Sequence, residues 1–154
     1  TTVKPDKYDS VLLYGLEAGK YRLALKTPKD QIINVEYTRD NSKKKAVYKK
    51  SKAIHLKSDI DSIYTSTEKA ARWYKVSVSS TKKRKAVTLS KDSVGGGFKF
   101  RVYQKGKLLK TVRVTKNDKV KTVKLPKKKG TYYVKVTKLT SKTTGAYYLG
   151  TYTY

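Results

Sequence analysis

Side chains able to perform acid–base or nucleophilic chemistry are few in this sequence. His55 is the one histidine, cysteine is absent, and no Gly-x-Ser-x-Gly segment marks a nucleophilic serine. Asp59 and Asp61 form the closest carboxylate pair, whereas a metal site usually combines several ligands. We therefore predict a protein that is not an enzyme and that uses no metal and no other cofactor.

Lysine dominates the charge of the chain. There are 38 basic and 11 acidic residues, a net charge of +27, and only six of the basic residues are arginine. A field of this strength attracts polyanions, and lysine acts as a point charge where arginine would recognise planar groups. The alternative is that lysine keeps a β-rich protein soluble and protects its edge strands. The basic runs fall in predicted turns, at residues 43–45, 49–50, 82–85 and 127–129.

Fourteen tyrosines supply a second signal. Tyr21, Tyr132 and Tyr147 alternate with core positions and are expected to be buried, and Trp73 is expected to pack in the core or at a hinge. Exposed tyrosine beside lysine suits sugar stacking with anion attraction, and it suits single-stranded nucleic acid equally. The alternative is cross-strand aromatic pairing, which stabilises a sheet by about 0.2–1 kcal/mol per pair. The tyrosines expected to point outward are Tyr103, Tyr133, Tyr148, Tyr152 and Tyr154.

Alternation of apolar and polar residues with a period of two runs along the chain and indicates β-strands. The segment 98–102 is the cleanest case, with Lys99 and Arg101 on the face opposite its apolar residues. Lys105 and Gly106 predict a tight hairpin, residues 95–97 predict a glycine connection or bulge, and residues 62–71 are the one candidate helix. Short strands at this spacing predict a sandwich or barrel. The predicted strands cover residues 21–26, 33–37, 54–56, 74–78, 98–102, 132–136 and 147–149.

Four segments from residue 71 to the end follow one another in a recognisable order. They are R-W-Y-K-V-S-V at 72–78, G-F-K-F-R-V-Y at 97–103, G-T-Y-Y-V-K-V at 130–136 and G-A-Y-Y-L at 145–149. This order resembles the bacterial pre-peptidase C-terminal domain, whose pattern has a strand with an aromatic pair, a central F-x-V-Y strand, a G-x-Y-Y-V-K-V strand and a last G-x-Y-x-L strand. The resemblance covers a little over half of the chain.

The resemblance implies an all-β fold, a jelly-roll-like antiparallel β-sandwich that performs no chemistry of its own. Members of the family lie beside secreted proteases or in surface proteins, and some bind collagen, polysaccharide or calcium. The calcium-binding relatives use clustered acids near the start of the domain, where this chain has only Asp59, Asp61 and Glu68. The predicted organisation is an N-terminal β extension or small β-subdomain at 1–58, a linking segment at 59–70 and the sandwich at 71–154.

These signals together predict a secreted or cell-surface bacterial protein that binds an anionic cell-wall or matrix polymer, such as a polysaccharide or teichoic acid. The chain begins at Thr1, which suits either removal of an export signal or a fragment of a longer chain, and it has no apolar run long enough to span a membrane. The alternatives are a nucleic-acid-binding protein, an agent acting on anionic membranes and an enzyme. The predicted binding residues are Lys82, Lys83, Arg84, Lys127, Lys128, Lys129, Tyr103, Tyr133, Tyr148 and Tyr152.

Overall fold

The described residues form nine β-strands and one short 3₁₀ helix, Lys50–Lys52. The structure is a computed structural model that describes residues 20, 22, 47–57, 60–64, 71–115, 117–118, 120–141 and 143–154. The strands are β1 (Ile54–His55), β2 (Ile60–Tyr64), β3 (Arg72–Val78), β4 (Lys85–Gly95), β5 (Phe98–Gln104), β6 (Lys107–Val114), β7 (Val120–Lys124), β8 (Gly130–Lys138) and β9 (Thr144–Thr153). They form two sheets: sheet A has the order β1-β3-β8-β5-β6, and sheet B the order β2-β9-β4-β7. The predicted all-β sandwich is confirmed.

Alternate residues of β3, β5 and β8 are buried between the two sheets. This is the period-two burial expected of strands that cover a core on one face and meet solvent on the other.

The strands predicted at 54–56, 74–78, 98–102, 132–136 and 147–149 are confirmed, while those at 21–26 and 33–37 lie outside the described residues except for Arg22. The largest buried side chains are Tyr74, Tyr132, Tyr147, Phe98, Phe100, Leu89 and Leu149.

Two buried tyrosines connect the sheets across the core. The hydroxyl groups of Tyr74, in β3, and Tyr147, in β9, lie 2.5 Å apart and share a hydrogen bond. The Tyr147 ring also packs against Phe98, with 5.0 Å between the ring centroids. Because a buried hydroxyl without a partner is costly, this pair lets large aromatic rings fill the core without a polar penalty.

The candidate helix at residues 62–71 is wrong at its start. Residues 62–64 lie in β2, which pairs antiparallel with β9 from Ile60↔Leu149 to Tyr64↔Gly145. At these three residues, pairing with a long neighbouring strand outweighs the local preference of the backbone. The helix-favouring residues Glu68, Lys69 and Ala70 lie outside the described residues, so for 65–70 the helix stays a prediction.

The sandwich includes strands that come before residue 71. β1 pairs parallel with β3, and β2 pairs with β9, so the segments 1–58 and 59–70 each contribute one strand to a sheet. The division of the chain at residues 58 and 70 stays a prediction. What the structure adds is that the sandwich extends beyond the part of the chain that carries the family resemblance.

The glycines between β4 and β5 form the predicted connection and bulge. The register of β4 with β9 shifts between Asp92 and Gly95, and Gly96 has a φ of +101°. A Cβ atom at Gly97 would lie 2.0 Å from the carbonyl oxygen of Val114. Gly97 therefore permits a close approach of two backbone segments that no side chain would allow.

The loop between β7 and β8 is held by a tyrosine from the core. Tyr132 is fully buried, and its hydroxyl donates a hydrogen bond to the carbonyl oxygen of Lys128 at 2.9 Å, with that of Pro126 at 3.4 Å. Burial raises the pKa of the Tyr132 hydroxyl above its ordinary value, and the hydroxyl is protonated and able to donate at neutral pH. A core side chain thus fixes the backbone of a lysine-rich loop.

Asp118 organises the turn between β6 and β7. Its Oδ2 accepts hydrogen bonds from the backbone N–H of Thr115 at 2.9 Å and from the Thr115 hydroxyl at 2.7 Å. Its Oδ1 forms an ion pair with Lys121 at 2.6 Å. The hydrogen bond from Lys121 and those from Thr115 hold the pKa of the Asp118 carboxyl well below its ordinary value of 3.8.

We expect Asp118 to make stability depend on acid. The pKa of the Asp118 carboxyl is lower in the folded chain than in the unfolded chain, so the unfolded chain takes up the proton first as pH falls. The free energy that the ionised carboxyl contributes to folding is therefore lost as pH falls below 3.8. Asp118→Asn should be less stable than the natural chain at neutral pH and should approach it as pH falls from roughly 5 towards 2 in urea unfolding. If the free energies of unfolding of the two proteins varied with pH in the same way, this role of Asp118 would be contradicted.

We expect Tyr132→Phe to loosen the β7–β8 loop. The variant keeps the ring in the core but loses the hydrogen bond to Lys128, at a cost of about 1 kcal/mol. Amide hydrogen exchange should become faster at residues 125–129, while the central strands remain protected. Tyr133→Phe, which changes the neighbouring residue on the opposite face of β8, is the matched control. Unchanged exchange in the loop would show that the hydroxyl does not hold it.

Candidate functional site

Six side chains of β3, β8 and β5 form two rows across the outer face of sheet A. They occupy the positions that alternate with the buried residues, and all are half-buried. The strand register aligns residues of neighbouring strands side by side, which brings paired Cβ atoms to about 5 Å. The first row is Trp73, Lys135 and Arg101, and the second is Lys75, Tyr133 and Tyr103.

Aromatic rings and ammonium groups contact one another on this face. The Trp73 and Tyr103 rings have centroids 5.7 Å apart, and Lys135 Nζ lies 5.4 Å from the Trp73 centroid. Lys50 Nζ lies 4.8 Å from the Tyr133 ring centroid and 6.0 Å from that of Trp73. Such cation–π contacts contribute about 0.5–1 kcal/mol at exposed sites. We call this surface the aromatic–cationic face; its members are Lys50, Trp73, Lys75, Arg101, Tyr103, Tyr133 and Lys135.

Lys50 reaches this face from the segment that precedes β1. The backbone N–H of Trp73 donates a hydrogen bond to the carbonyl oxygen of Val47 at 2.9 Å, which holds that segment beside the start of β3. The 3₁₀ helix Lys50–Lys52 follows and places the Lys50 ammonium over both rings. The prediction that Trp73 packs in the core or at a hinge is therefore wrong. Tyr74 takes the core position, and the alternation of β3 turns Trp73 outward.

Three connections meet at one end of the sandwich. Val78, the last residue of β3, pairs with Gly130, the first of β8, and Gln104, the last of β5, pairs with Tyr132. The β3–β4, β5–β6 and β7–β8 connections therefore lie at the same end. Their basic residues are exposed and form what we call the lysine rim: Lys82, Lys83, Arg84, Lys105, Lys127, Lys128 and Lys129.

The aromatic–cationic face adjoins the lysine rim. Tyr133 is three residues from Gly130, and Tyr103 is two residues from Lys105. At a strand rise of about 3.3 Å per residue, both tyrosines lie within roughly 10 Å of the loops. One extended ligand therefore has access to both the face and the rim.

The predicted tyrosines divide between opposite faces of the molecule. Tyr103 and Tyr133 are cross-strand partners on sheet A. Tyr148 and Tyr152 lie on the outer face of sheet B, with exposed fractions of 40% and 46%. All four point away from the core, as predicted, and so does Tyr154. Lys82, Lys83, Arg84 and Lys127–Lys129 share one end of the molecule with Tyr103 and Tyr133. Tyr148 and Tyr152 lie on the other sheet, where Tyr152 is near the same end because the next residue, Thr153, pairs with Lys85.

The cationic side chains of sheet A were outside the set of binding residues predicted from the sequence. The signal was present, because Lys99 and Arg101 alternate with buried residues in β5, and Lys75 and Lys135 do the same in β3 and β8. The prediction relied instead on runs of consecutive lysines, which lie in the loops. Lys50 carried no such signal, since its place depends on how the segment at 47–52 packs on β3.

Charge is concentrated in the part of the chain that builds both surfaces. Residues 71–154 include 23 basic and 2 acidic residues, Asp92 and Asp118. Asp118 is the one acidic residue whose side chain the structure describes, and it lies in the β6–β7 turn beside Lys121. The aromatic–cationic face thus has no described carboxylate to neutralise it.

Metal-binding geometry is absent from the described residues. They contain no group of three or more His, Cys, Asp or Glu side chains close enough to hold a metal ion. His55 lies exposed in β1, beside Lys75 of β3. Asp59 and Glu68 are outside the described residues, and the side chain of Asp61 is not described. Within the described part of the chain, no helix has the length and apolar character needed to cross a membrane.

Comparison with known proteins gives a structural match. No protein-family profile matches the sequence, and no curated protein matches it. Among solved structures, the fold is similar to the pre-peptidase C-terminal domain of a collagenase from Bacillus anthracis, with a TM-score of 0.52 and 17% sequence identity. The match covers 73% of this chain and 100% of that domain.

The matched share exceeds the part of the sequence that carries the resemblance. Residues 71–154 are just over half of the chain, so a match over 73% of it must include residues before Ala71. This agrees with the presence of β1 and β2 in the two sheets. At 17% identity the likeness concerns the fold, and the chain has a fold like that of the pre-peptidase C-terminal domain, as its sequence pattern predicted.

Proposed function

We propose that this chain is a non-catalytic binding module of an exported bacterial protein and that it attaches to an anionic polymer of the cell wall or extracellular matrix. The aromatic–cationic face is the main contact surface, and the lysine rim extends it. The observation that carries the proposal is the arrangement of Lys50, Lys75, Arg101 and Lys135 on one sheet face without a described carboxylate among them.

The aromatic rings of this face favour an anionic ligand over stacked bases. Ammonium groups lie over the Trp73 and Tyr133 rings at 4.8–6.0 Å, so the rings already have cationic partners. A ring in contact with an ammonium group restricts the lysine side chain that carries it. That side chain therefore loses less conformational entropy when an anion binds. Binding of single-stranded nucleic acid would instead require free ring faces on which bases stack.

The balance between lysine and arginine supports the same ligand class. Of the seven residues of the lysine rim, only Arg84 is an arginine, and Arg101 is the one arginine of the aromatic–cationic face. Lysine attracts phosphate and other anions without the bidentate geometry that reads bases or planar groups. A polymer with repeated negative charges gains from many such contacts, and its affinity falls as salt replaces the displaced counterions.

The test removes two charges from the proposed surface. Lys75→Gln/Lys135→Gln should weaken co-sedimentation with intact Gram-positive cell walls about tenfold at low salt, since two lost ionic contacts of roughly 0.7 kcal/mol each remove about 1.4 kcal/mol. Lys110→Gln/Lys124→Gln, on β6 and β7, changes the net charge equally and is the matched control. The natural chain should lose binding in high salt and with walls stripped of teichoic acid.

Equal losses in the two double variants would contradict a binding face on sheet A and would indicate a response to net charge alone. No co-sedimentation of the natural chain under any condition would contradict the wall polymer as ligand. Tight binding to single-stranded DNA with tyrosine quenching, in a protein that ignores cell walls, would establish the nucleic-acid alternative in its place.

A further inference from the structure

A cleft of about 390 Å³ opens between the two sheets, beside the lysine rim. Its lining comes from β1 and the residues after it, from the end of β3, from the start of β4 and from the end of β9. Among the described residues that line it, two are lysines, one is a histidine and none is acidic. The residues on which the inference depends are His55, Lys57, Ser79, Lys85 and Thr153.

Lys85 holds a positive charge in this cleft. Its Nζ donates a hydrogen bond to the carbonyl oxygen of Ser77 at 2.8 Å, which connects β4 of sheet B to β3 of sheet A. The residue is half-buried, and no carboxylate in the described part of the chain pairs with it. An ammonium group has three N–H donors, so two remain for a ligand. A partly buried cation without a counterion is costly, and a bound anion relieves that cost.

The surroundings of Lys85 suit an anion with several oxygens. His55, Lys57, Ser79 and Thr153 line the same cleft, and residues of these types carry further N–H and O–H donors. Lysine and hydroxyl donors converge on an oxyanion from different directions, unlike the planar fork of arginine that matches a carboxylate. The volume falls in the range of small-molecule sites and admits a charged group together with the sugar or polyol that carries it.

We infer that this cleft binds a tetrahedral oxyanion, a phosphate or sulfate group, carried by the anionic polymer. The inference deepens the proposed function and rests on it for the identity of the polymer. The aromatic–cationic face attracts the repeated negative charges of the polymer, while the cleft binds a single phosphate or sulfate group. Lys85 is the central contact, and Lys57 is the second.

The test uses free ions, so its result is independent of polymer binding. Backbone amide NMR spectra of the full chain are recorded during titration with inorganic phosphate, sulfate and acetate, with ionic strength held constant by chloride. Phosphate or sulfate should give saturable shifts at residues 57, 77–79, 85 and 153, and acetate should not. Lys85→Gln should weaken the binding at least tenfold, while Lys110→Gln, on β6 and outside the lining of the cleft, should leave it unchanged.

Saturation by phosphate alone would assign the cleft to phosphate-bearing polymers, and saturation by sulfate alone would assign it to sulfated ones. Shifts that are linear and spread over the exposed lysines, or equal affinity in Lys85→Gln and the natural chain, would overturn the inference. Acetate binding as tightly as phosphate would also overturn it. If Lys85→Gln does not fold, because it loses the connection to Ser77, Lys57→Gln supplies the same comparison with Lys85 intact.

Discussion

The pairing of β8 with both β3 and β5 is the constraint on which the proposed site depends. β8 is the central strand of sheet A, and its register opposes Tyr133 to Lys75 on one side and to Tyr103 on the other. The next outward residue, Lys135, lies between Trp73 and Arg101 in the same way. A slip of one residue would turn this set towards the core and its partners towards solvent. The apolar core of the sandwich therefore also fixes the arrangement of cations on its surface.

This arrangement has an electrostatic cost that the fold must offset. Basic residues outnumber acidic ones by 23 to 2 in residues 71–154, and the mutual repulsion of like charges destabilises a compact chain. The core compensates with large aromatic side chains, whose hydroxyls pair across the sheets in the case of Tyr74 and Tyr147. Rings on the outer face reduce the cost further, because Trp73 and Tyr133 accept ammonium groups over their faces. An anionic ligand would remove the remaining repulsion.

Strict alternation in the central strands was sufficient to predict an all-β sandwich or barrel and the residues buried in its core, and the family resemblance selected the sandwich. It was also sufficient to predict which tyrosines face outward, since Tyr133 and Tyr132 are neighbours on opposite faces of β8. Trp73 was misplaced because an aromatic residue beside a second one, Tyr74, can take either face, and only pairing with β8 decides. The contribution of Lys50 depends on tertiary packing of a segment far from β8 in sequence, which no local pattern encodes.

The most direct measurement of the central claim is the fluorescence of Trp73 during titration with purified wall teichoic acid. Trp73 is the only tryptophan of the chain, and it lies among the cations proposed to contact the polymer. We predict a saturable change in Trp73 emission at low salt that disappears at high salt. If sedimentation shows that the polymer binds while Trp73 emission stays unchanged, and if Tyr148→Ala abolishes that binding, the proposed site is contradicted and the site lies on sheet B.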